Sequence, residues 1–281
     1  MGICILMILV IKMTTPPSEY LKNMSYFLKH SNEEEIDSNT FLKEYLEKTN
    51  TKNLHWLDVG AGPGTKLVRI IKNGLTDYMD YILIDVVEPS KELLNVFNKN
   101  FCKNKLEYLV NERHHTIWEE FVAQKQYDLI TFFHSMYRIE KNSLEKIPSF
   151  LKKNGLACII IESPNSDLFP IRQKISPYYK HKDIISYNVI IDYLKEKNIS
   201  HEVSTQEPDQ RFYVDGILDP KNSDTKRVLS FILQTKPEDH EKIVKKEINR
   251  EINKELKKHV KKDKHGKSYI HTPDRFIWIY K

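Results

Sequence analysis

The sequence predicts a doubly wound α/β fold, in which a mostly parallel seven-stranded sheet is covered by helices and carries a small substrate-binding lobe. Three observations predict it. Apolar runs alternate with helix-like patterns through the first two-thirds of the chain. Several of these runs are apolar without alternation, as in strands that are buried on both faces of a parallel sheet. A glycine-rich turn joins the first predicted strand to a helix, and the 281 residues, 40% of them hydrophobic, suffice for one sizeable core.

The predicted strands and helices alternate along the chain. The strands predicted first are Leu54–Val59, Tyr81–Val87, Leu106–Val110, Tyr127–Phe133 and Gly155–Ile161. The helices predicted between them are Thr65–Asn73, Ser90–Asn98, Trp118–Gln126 and Leu144–Lys153. Beyond Ser163 the pattern changes, and the elements predicted there are helices around Ile171 and at Ile184–Lys197, a strand near His201–Thr205, helices at Arg227–Gln234 and in Lys242–Lys267, and a strand at Phe276–Tyr280.

Three regions are predicted along the chain. Residues 1–12 are a possible N-terminal extension, since Met13 is an alternative start. Residues 13–163 form the cofactor-binding α/β core with an N-terminal helical cap, and residues 164–281 supply substrate-lobe elements and the closing strands of the same sheet. The apolar run Ile3–Ile11 is too short to span a bilayer and lacks the flanks of a signal peptide, so we expect a cytoplasmic protein without a membrane partner.

The charge pattern argues against a nucleic-acid partner. Charged residues make up 30% of the chain, but the formal net charge is only +5. The most basic segment, Lys242–Lys267, interleaves Glu with Lys and contains no aromatic residue, which is typical of a solvated helix. The cysteines Cys4, Cys102 and Cys158 show no CxxC spacing, so we expect neither a disulfide framework nor a zinc site, as suits a reducing compartment.

A glycine-rich loop is the strongest functional signal. Gly60, Gly62 and Gly64 follow the predicted strand that ends at Val59, and a helix is predicted from Thr65. Glycine suits such a loop because the backbone must turn tightly and approach a ligand closely, where a Cβ atom would block it. The dinucleotide fingerprint places its third glycine one residue later. The GxGxG spacing found here is more usual in methyltransferases.

An acid after the second predicted strand strengthens this interpretation. Glu88 ends that strand, 24 residues after Gly64. A carboxylate at this place can accept hydrogen bonds from both ribose hydroxyls of a nucleoside. The loop and the acid together predict a nucleoside-containing cofactor.

The end of the fourth predicted strand supplies candidate catalytic residues. Phe133 ends the strand, and His134 and Tyr137 follow it. In open parallel sheets, ligands bind beyond the carboxyl ends of the strands. We therefore predict that His134 and Tyr137 lie where a substrate meets the reactive atom of the cofactor.

The order of these motifs resembles that of class I S-adenosylmethionine-dependent methyltransferases, and most closely that of the histamine N-methyltransferases. The resemblance extends over nearly the whole chain. The segments that carry it are Phe27–Glu33, Val86–Ser90, Met136–Tyr137, Ser204–Thr205, Tyr213–Gly216 and Phe276–Ile279. It implies the Rossmann-like fold of that class, S-adenosyl-L-methionine as the cofactor, and a monomer.

The resemblance also implies roles for single residues. Gly60 and Glu88 fall on cofactor-binding positions, and the backbone of Phe133 faces the cofactor; with Gly62 and Gly64 they are the candidate cofactor-binding residues. The candidate acceptor-binding residues are Glu33, Tyr20, His134, Tyr137 and Thr272. Glu33 falls on the acid that holds the amine-bearing side of the acceptor. Departures from the family are His134 and Leu93 in place of Gln, Thr272 in place of Asn, and Pro63 in place of Ala.

The predicted activity is methyl transfer to a nitrogen of a small-molecule amine or imidazole. An imidazole nitrogen has a free lone pair near neutral pH, whereas an aliphatic amine needs a depressed pKa or a base. His134 would orient the acceptor or take a proton afterwards. No metal is expected, because the sequence shows no cluster with ligand spacing.

Alternatives remain open at this point. The acceptor could instead be a carboxylate, a phenol or a thiol, since His134 and Thr272 depart from the family. The chain could also bind S-adenosylmethionine without catalysis. A nucleic-acid substrate is disfavoured, because Phe133–Met136 stands where base amino methylation uses an Asn-Pro-Pro-Tyr-type motif.

Overall fold

A seven-stranded sheet forms the centre of the protein in the computed structural model, which describes residues 17–175, 185–215 and 246–281. Its strands are β1 (Asn53–Val59), β2 (Tyr81–Val87), β3 (Val110–His114), β4 (Tyr127–Phe133), β5 (Leu151–Glu162), β6 (His201–Val203) and β10 (Asp274–Tyr280). A second, three-stranded sheet contains β7 (Arg211–Tyr213), β8 (Lys261–Lys262) and β9 (Ser268–His271).

The large sheet has the order β3-β2-β1-β4-β5-β10-β6. Strands β1 to β5 pair in parallel, whereas β10 runs antiparallel to both β5 and β6. The direction of strand addition reverses between β1 and β4, and ligands of such sheets bind beyond the carboxyl ends of the strands at this point. The predicted doubly wound, mostly parallel sheet is confirmed.

Helices cover both faces of the sheet. They are α1 (Pro17–His30), α2 (Glu33–Lys48), α3 (Thr65–Ile70), α4 (Thr76–Tyr78), α5 (Lys91–Lys103), α6 (Ile147–Phe150), α7 (Leu168–Ile175), α8 (Tyr187–Glu196) and α9 (Lys246–His259). A π-helical turn at Ile71–Leu75 and 3-10 turns at Glu107–Leu109, Met136–Arg138 and Lys141–Lys146 join them.

The strands are buried on both faces. In β1, Leu54 and Trp56 pack into the core beneath α2, α3 and α5, whereas Leu57 and Val59 pack into the core on the opposite face. This division follows the two-residue period of a strand. Its burial on both sides explains why the strand reads as a continuous apolar run.

One predicted helix is absent, and the bounds of another helix and of one strand differ from the prediction. The strand predicted at Leu106–Val110 is mostly a single helical turn, and β3 begins only at Val110. The helix predicted at Leu144–Lys153 ends at Phe150, because β5 begins at Leu151. Apolar runs of this length do not distinguish a short helix from a buried strand.

The helix predicted at Trp118–Gln126 is replaced by turns. The Nζ atom of Lys146 donates hydrogen bonds to the backbone carbonyls of Trp118, Glu119 and Phe121. It also lies 4.1 Å from the centre of the Trp118 ring. The ammonium thus satisfies carbonyls that a helix would satisfy itself, and an irregular segment becomes stable.

The three-stranded sheet forms a lobe together with helices α1, α7 and α9. Phe27 of α1 stacks on Phe212 of β7 with ring centres 5.1 Å apart. Ile171 of α7 and Ile252 of α9 are buried in the same apolar cluster. The predicted helix Arg227–Gln234 lies outside the described residues, and α9 covers the central part of the predicted charged helix.

Two features of the described residues relate to the predicted cellular environment, namely the cysteines and the character of the helices. Cys102 and Cys158 are free thiols, and Cys4 lies outside the described ranges. Among the helices that the structure describes, none combines the length and the apolar character needed to cross a membrane.

Candidate functional site

The glycine loop lies between the carboxyl ends of β1 and β2. Gly60, Gly62 and Gly64 have φ angles of 72°, 53° and 71°, which L-residues with side chains rarely adopt. The N–H of Gly60 donates to the carbonyl of Val87 at 2.7 Å, which ties the loop to β2. A Cβ atom on Gly64 would lie 2.5 Å from the ring of Phe97. Backbone conformation therefore favours glycine at all three positions, and close packing adds to this at Gly60 and Gly64.

Glu88 stands directly beside this loop. Its Oε2 atom accepts a hydrogen bond from the N–H of Gly62, and its Oε1 atom accepts one from the N–H of Ser90, both at 2.9 Å. The side chain is buried, and this burial raises the pKa of Glu88. Each carboxylate oxygen has two lone pairs, so both can accept a further hydrogen bond from a ligand hydroxyl. These contacts place Glu88 beside the glycine loop, and its role in ribose binding stays a prediction.

A second buried acid lies beneath the loop and was not singled out from the sequence. Asp58 is on β1, and its Oδ1 atom accepts a hydrogen bond from the hydroxyl of Thr131 at 2.6 Å. Burial, together with the nearby charge of Glu88, raises the pKa of Asp58 to about 7. Its charge state therefore changes near neutral pH, in a place where a cofactor would lie.

His134 is surrounded by carboxylates. Its Nε2 atom lies 3.1 Å from Asp37, 3.4 Å from Glu33 and 3.6 Å from Asp274. Burial would lower the pKa of His134, but the charges of Asp274 and Glu33 outweigh it and raise the pKa to about 9. The imidazole is therefore protonated at neutral pH, and a protonated imidazole donates hydrogen bonds but accepts no proton.

His134 reaches this place because the chain turns sharply after β4. Its φ angle is 53°, in the left-handed region, which is uncommon for a residue with a side chain. Its backbone N–H donates to the carbonyl of Ile160 on β5 at 3.1 Å. The strained turn thus aims the imidazole away from the sheet and toward α2, and strain of this kind is typical of functional sites.

Four residues of this cluster were missed by sequence reasoning. Lys66 of α3 forms an ion pair with Asp37, and the side-chain amide of Gln210 donates to both Asp37 and Asp274. Burial would raise the pKa of Asp37, but Lys66 and His134 outweigh it and lower the pKa. Only Asp37 left a signal in the sequence, because it lies four residues after Glu33 and so on the same face of a helix.

The cluster holds more carboxyl groups than cationic groups. It contains three carboxylates, those of Glu33, Asp37 and Asp274, against two cationic groups, those of Lys66 and His134. Burial raises the pKa of Glu33, and it raises that of Asp274 well above the usual range. Both shifts indicate that one more positive charge would stabilise the ionised cluster.

Of the two aromatic candidates, Tyr137 lies beside His134. The Tyr137 ring stacks on that of His134 with centres 6.4 Å apart, and its hydroxyl accepts a hydrogen bond from the backbone N–H of Glu162 at 3.1 Å. Burial raises the pKa of Tyr20 on α1, and among nearby charges Arg138 lowers it while Glu88 and Glu33 raise it. Tyr20 therefore lies within electrostatic reach of Arg138, Glu88 and Glu33.

The remaining candidate residues play different parts. The Phe133 ring packs edge-on against Phe41 in the core, so its side chain contributes to packing. This is compatible with the prediction that only its backbone faces the cofactor. Thr272 is buried next to the cluster, and its N–H donates to the carbonyl of Gln210 at 3.1 Å. Leu93 is buried on α5, where its N–H donates to the N-cap residue Ser90.

The structure thus brings together a cluster that the sequence did not reveal. Glu33, Asp37, His134 and Asp274 each offer a ligand atom within 4.8 Å of the others, which is close enough for a metal ion. Lys66 and Gln210 already donate hydrogen bonds to the two carboxylate oxygens of Asp37, so the cluster is first of all a hydrogen-bonded ion network.

Comparison with known proteins gives the family of this fold. A family model described as a methyltransferase domain matches residues 20–199. A sequence comparison with curated proteins found no match.

Solved structures, among them two that are named as methyltransferases, share the fold. The YcgJ protein from Bacillus subtilis is 13% identical with a TM-score of 0.56, over 87% of this chain and 97% of that one. A putative sarcosine dimethylglycine methyltransferase from Galdieria sulphuraria is 15% identical with a TM-score of 0.51, over 86% of this chain and 85% of that one. The plantazolicin methyltransferase BpumL in complex with SAH is 14% identical with a TM-score of 0.51, over 93% of this chain and 90% of that one. At such identities the likeness concerns the fold.

Proposed function

The chain belongs to the methyltransferase domain family, and from this premise we propose that it transfers a methyl group from S-adenosylmethionine to a nitrogen of a small-molecule amine or imidazole. S-adenosylmethionine is the cofactor, as the SAH in the structure of BpumL suggests for a shared fold. The finer part of the proposal, the amine acceptor, rests on the charges around His134.

The glycine loop and Glu88 offer groups that suit the binding of S-adenosylmethionine. The backbone at Gly62 leaves room for a ligand, since a Cβ atom there would meet no atom closer than 3.9 Å. Glu88 would accept hydrogen bonds from the ribose hydroxyls with the lone pairs that Gly62 and Ser90 leave free. Asp58 lies beneath the loop, where its ionised form would favour a cationic group of the cofactor.

The residues of the acceptor site have to orient a nucleophile rather than activate an electrophile. When bound, S-adenosylmethionine supplies a methyl group that its sulfonium has already activated. Glu33 would accept a hydrogen bond from the acceptor's amine and take a proton from it, since burial raises the pKa of Glu33 above that of an ordinary carboxyl. Tyr20 and Tyr137 would form an apolar wall that tolerates a cation and excludes water.

The sequence left two roles open for His134, orienting the acceptor or taking its proton. We assign it the first. Because its pKa is raised to about 9, His134 is already protonated at neutral pH and cannot take up another proton. It donates instead to Asp37 and holds the carboxylates of Glu33 and Asp274 close by.

The excess of carboxyl groups over cationic groups carries the proposal. Three carboxyl groups, two of them buried, face two cationic groups, and burial raises the pKa of Glu33 and Asp274, so an ammonium or a protonated imidazole would stabilise the ionised form of these acids. A buried unpaired charge is costly, and pairing it with a ligand cation is favourable. A carboxylate, phenol or thiol acceptor would add no positive charge, and the cluster therefore favours an amine.

Glu33→Gln tests this proposal. The variant keeps the shape of the side chain but removes its charge, so the KM for amine acceptors should rise by about 10- to 100-fold, the equivalent of a lost hydrogen bond from a charged group. Affinity for S-adenosylmethionine should not change. Glu35→Gln is the matched control, because Glu35 is an exposed acid on the same helix. Equal KM values for Glu33→Gln and Glu35→Gln would exclude the role of Glu33.

A further inference from the structure

Three buried oxygen atoms beside the acceptor site lack a hydrogen-bond partner within the described ranges. They are the Oε1 atom of Glu162, the Oε1 atom of Gln210 and the Oγ1 atom of Thr272. Gln210 is completely buried, and only 4% of Thr272 is exposed. Buried polar atoms are nearly always paired in native proteins, so a group of unpaired atoms points to a ligand that would pair them.

Asp274 connects these three residues. It lies opposite Glu162 in the antiparallel pairing of β10 with β5. Its Oδ2 atom accepts a hydrogen bond from Gln210 at 2.8 Å, and the carbonyl of Gln210 accepts the N–H of Thr272 at 3.1 Å. The unpaired oxygens thus belong to residues grouped around one end of the carboxylate cluster.

The chemistry of these oxygens defines what they would bind. A carboxylate oxygen and an amide oxygen accept hydrogen bonds but donate none. The orientation of the Gln210 amide follows from its contacts, because its nitrogen donates to the carboxylates of Asp37 and Asp274. Arg172 pairs with the Oε2 atom of Glu162, which leaves Oε1 as the unpaired oxygen. The complementary ligand group is therefore a hydrogen-bond donor.

We propose that Glu162, Gln210 and Thr272 form a second subsite of the acceptor site, which binds a second N–H-bearing group of the methyl acceptor. The inference rests on the proposed function and narrows its substrate class to compounds with two nitrogen groups. One nitrogen is presented to the cofactor near Glu33, and the other donates to the unpaired oxygens beside Asp274. A monoamine leaves those oxygens unpaired and is the poorer substrate.

Methylation of putrescine and of butylamine tests the subsite, since the two compounds have the same carbon chain and differ by one amino group. For the wild type, kcat/KM for putrescine should exceed that for butylamine by about tenfold or more, as expected where a site is built to bind a donor. Glu162→Gln should reduce this preference to within about threefold. Arg172→Gln is the control, because it also removes the ion pair between Arg172 and Glu162 but keeps the carboxylate of Glu162. In this variant the preference for putrescine should persist.

Thr272→Val provides a second variant of nearly the same shape, in case Glu162→Gln does not fold. It should also reduce the preference for putrescine, mainly through KM. The inference is overturned if the wild type methylates both amines equally well, or if the variants slow both amines to the same extent. A wild type that methylates neither amine, but methylates a phenol or a carboxylic acid, would overturn the proposed function as well.

Discussion

The Nε2 atom of His134 lies 3.1 Å from the Oδ2 atom of Asp37, which joins the end of β4 to the helix α2. Lys66 holds the same carboxylate from α3, directly after the glycine loop. Helix α2 is thereby attached to the turn after β4 and to the helix that follows the glycine loop. The charge on His134 is therefore part of what holds the site together.

The stability of the protein should depend on this charge. The folded pKa of His134 is about 9, above its unfolded value of 6.5, so its contribution is fully present below pH 6.5 and is lost as the pH rises through 9. We expect the difference in free energy of unfolding between wild type and His134→Gln to shrink by about 3 kcal/mol over this interval. Urea denaturation of both proteins at a series of pH values measures it.

The neighbouring acids act in the same direction. Burial raises the pKa values of Glu33 and Asp274, so the folded protein favours their protonated forms and loses stability as the pH rises. Parallel stability curves for wild type and His134→Gln would show that His134 does not carry the proposed charge.

Cofactor binding should depend on Glu88. Glu88→Ala removes the carboxylate that contacts the loop at Gly62, so affinity for S-adenosylmethionine should fall by about 1–3 kcal/mol. Glu92→Ala is a suitable control, because Glu92 is an exposed acid in the first turn of α5. Calorimetric titration that finds equal affinities for the two variants would remove Glu88 from the cofactor site.

Gly64 and Gly266 separate two reasons for a glycine. Both have positive φ angles, 71° and 80°, but a Cβ atom on Gly64 would lie 2.5 Å from Phe97, whereas one on Gly266 would meet no atom within 4 Å. Gly266→Ala should cost about 1 kcal/mol from backbone strain alone. Gly64→Ala should cost at least about 1 kcal/mol more, since overpacking adds to the strain. Thermal unfolding of both variants measures the difference, and equal losses would mean that Phe97 gives way.

The sequence predicted the sheet well because its strands are buried on both faces. Tyr81–Val87 and Tyr127–Phe133 have the same bounds in the prediction and in the structure. The predicted helix at Trp118–Gln126 failed because the turns there depend on Lys146, which lies 25 to 28 residues beyond the carbonyls that it contacts. Contacts of this kind leave no periodic pattern in the sequence.

The candidate site shows the same contrast. Gly62 and Glu88 were predicted from motifs whose spacing is local, and the N–H of Gly62 donates to Glu88. Asp274 reaches His134, and Gln210 reaches Asp274, from segments that are distant in sequence, so no spacing could have revealed the cluster. The excess of carboxyl groups on which the proposal of an amine rests is visible only once these side chains are brought together.

The most direct test of the account is a transfer assay with S-adenosylmethionine labelled in its methyl group. The wild-type protein would be incubated with a diamine, an imidazole amine, a phenolic acid and a thiol in separate reactions, and the labelled product of each would be isolated. The account predicts label on a nitrogen of the diamine or the imidazole amine, and none on oxygen or sulfur. Label on the phenolic acid or the thiol, with none on any nitrogen, would contradict it.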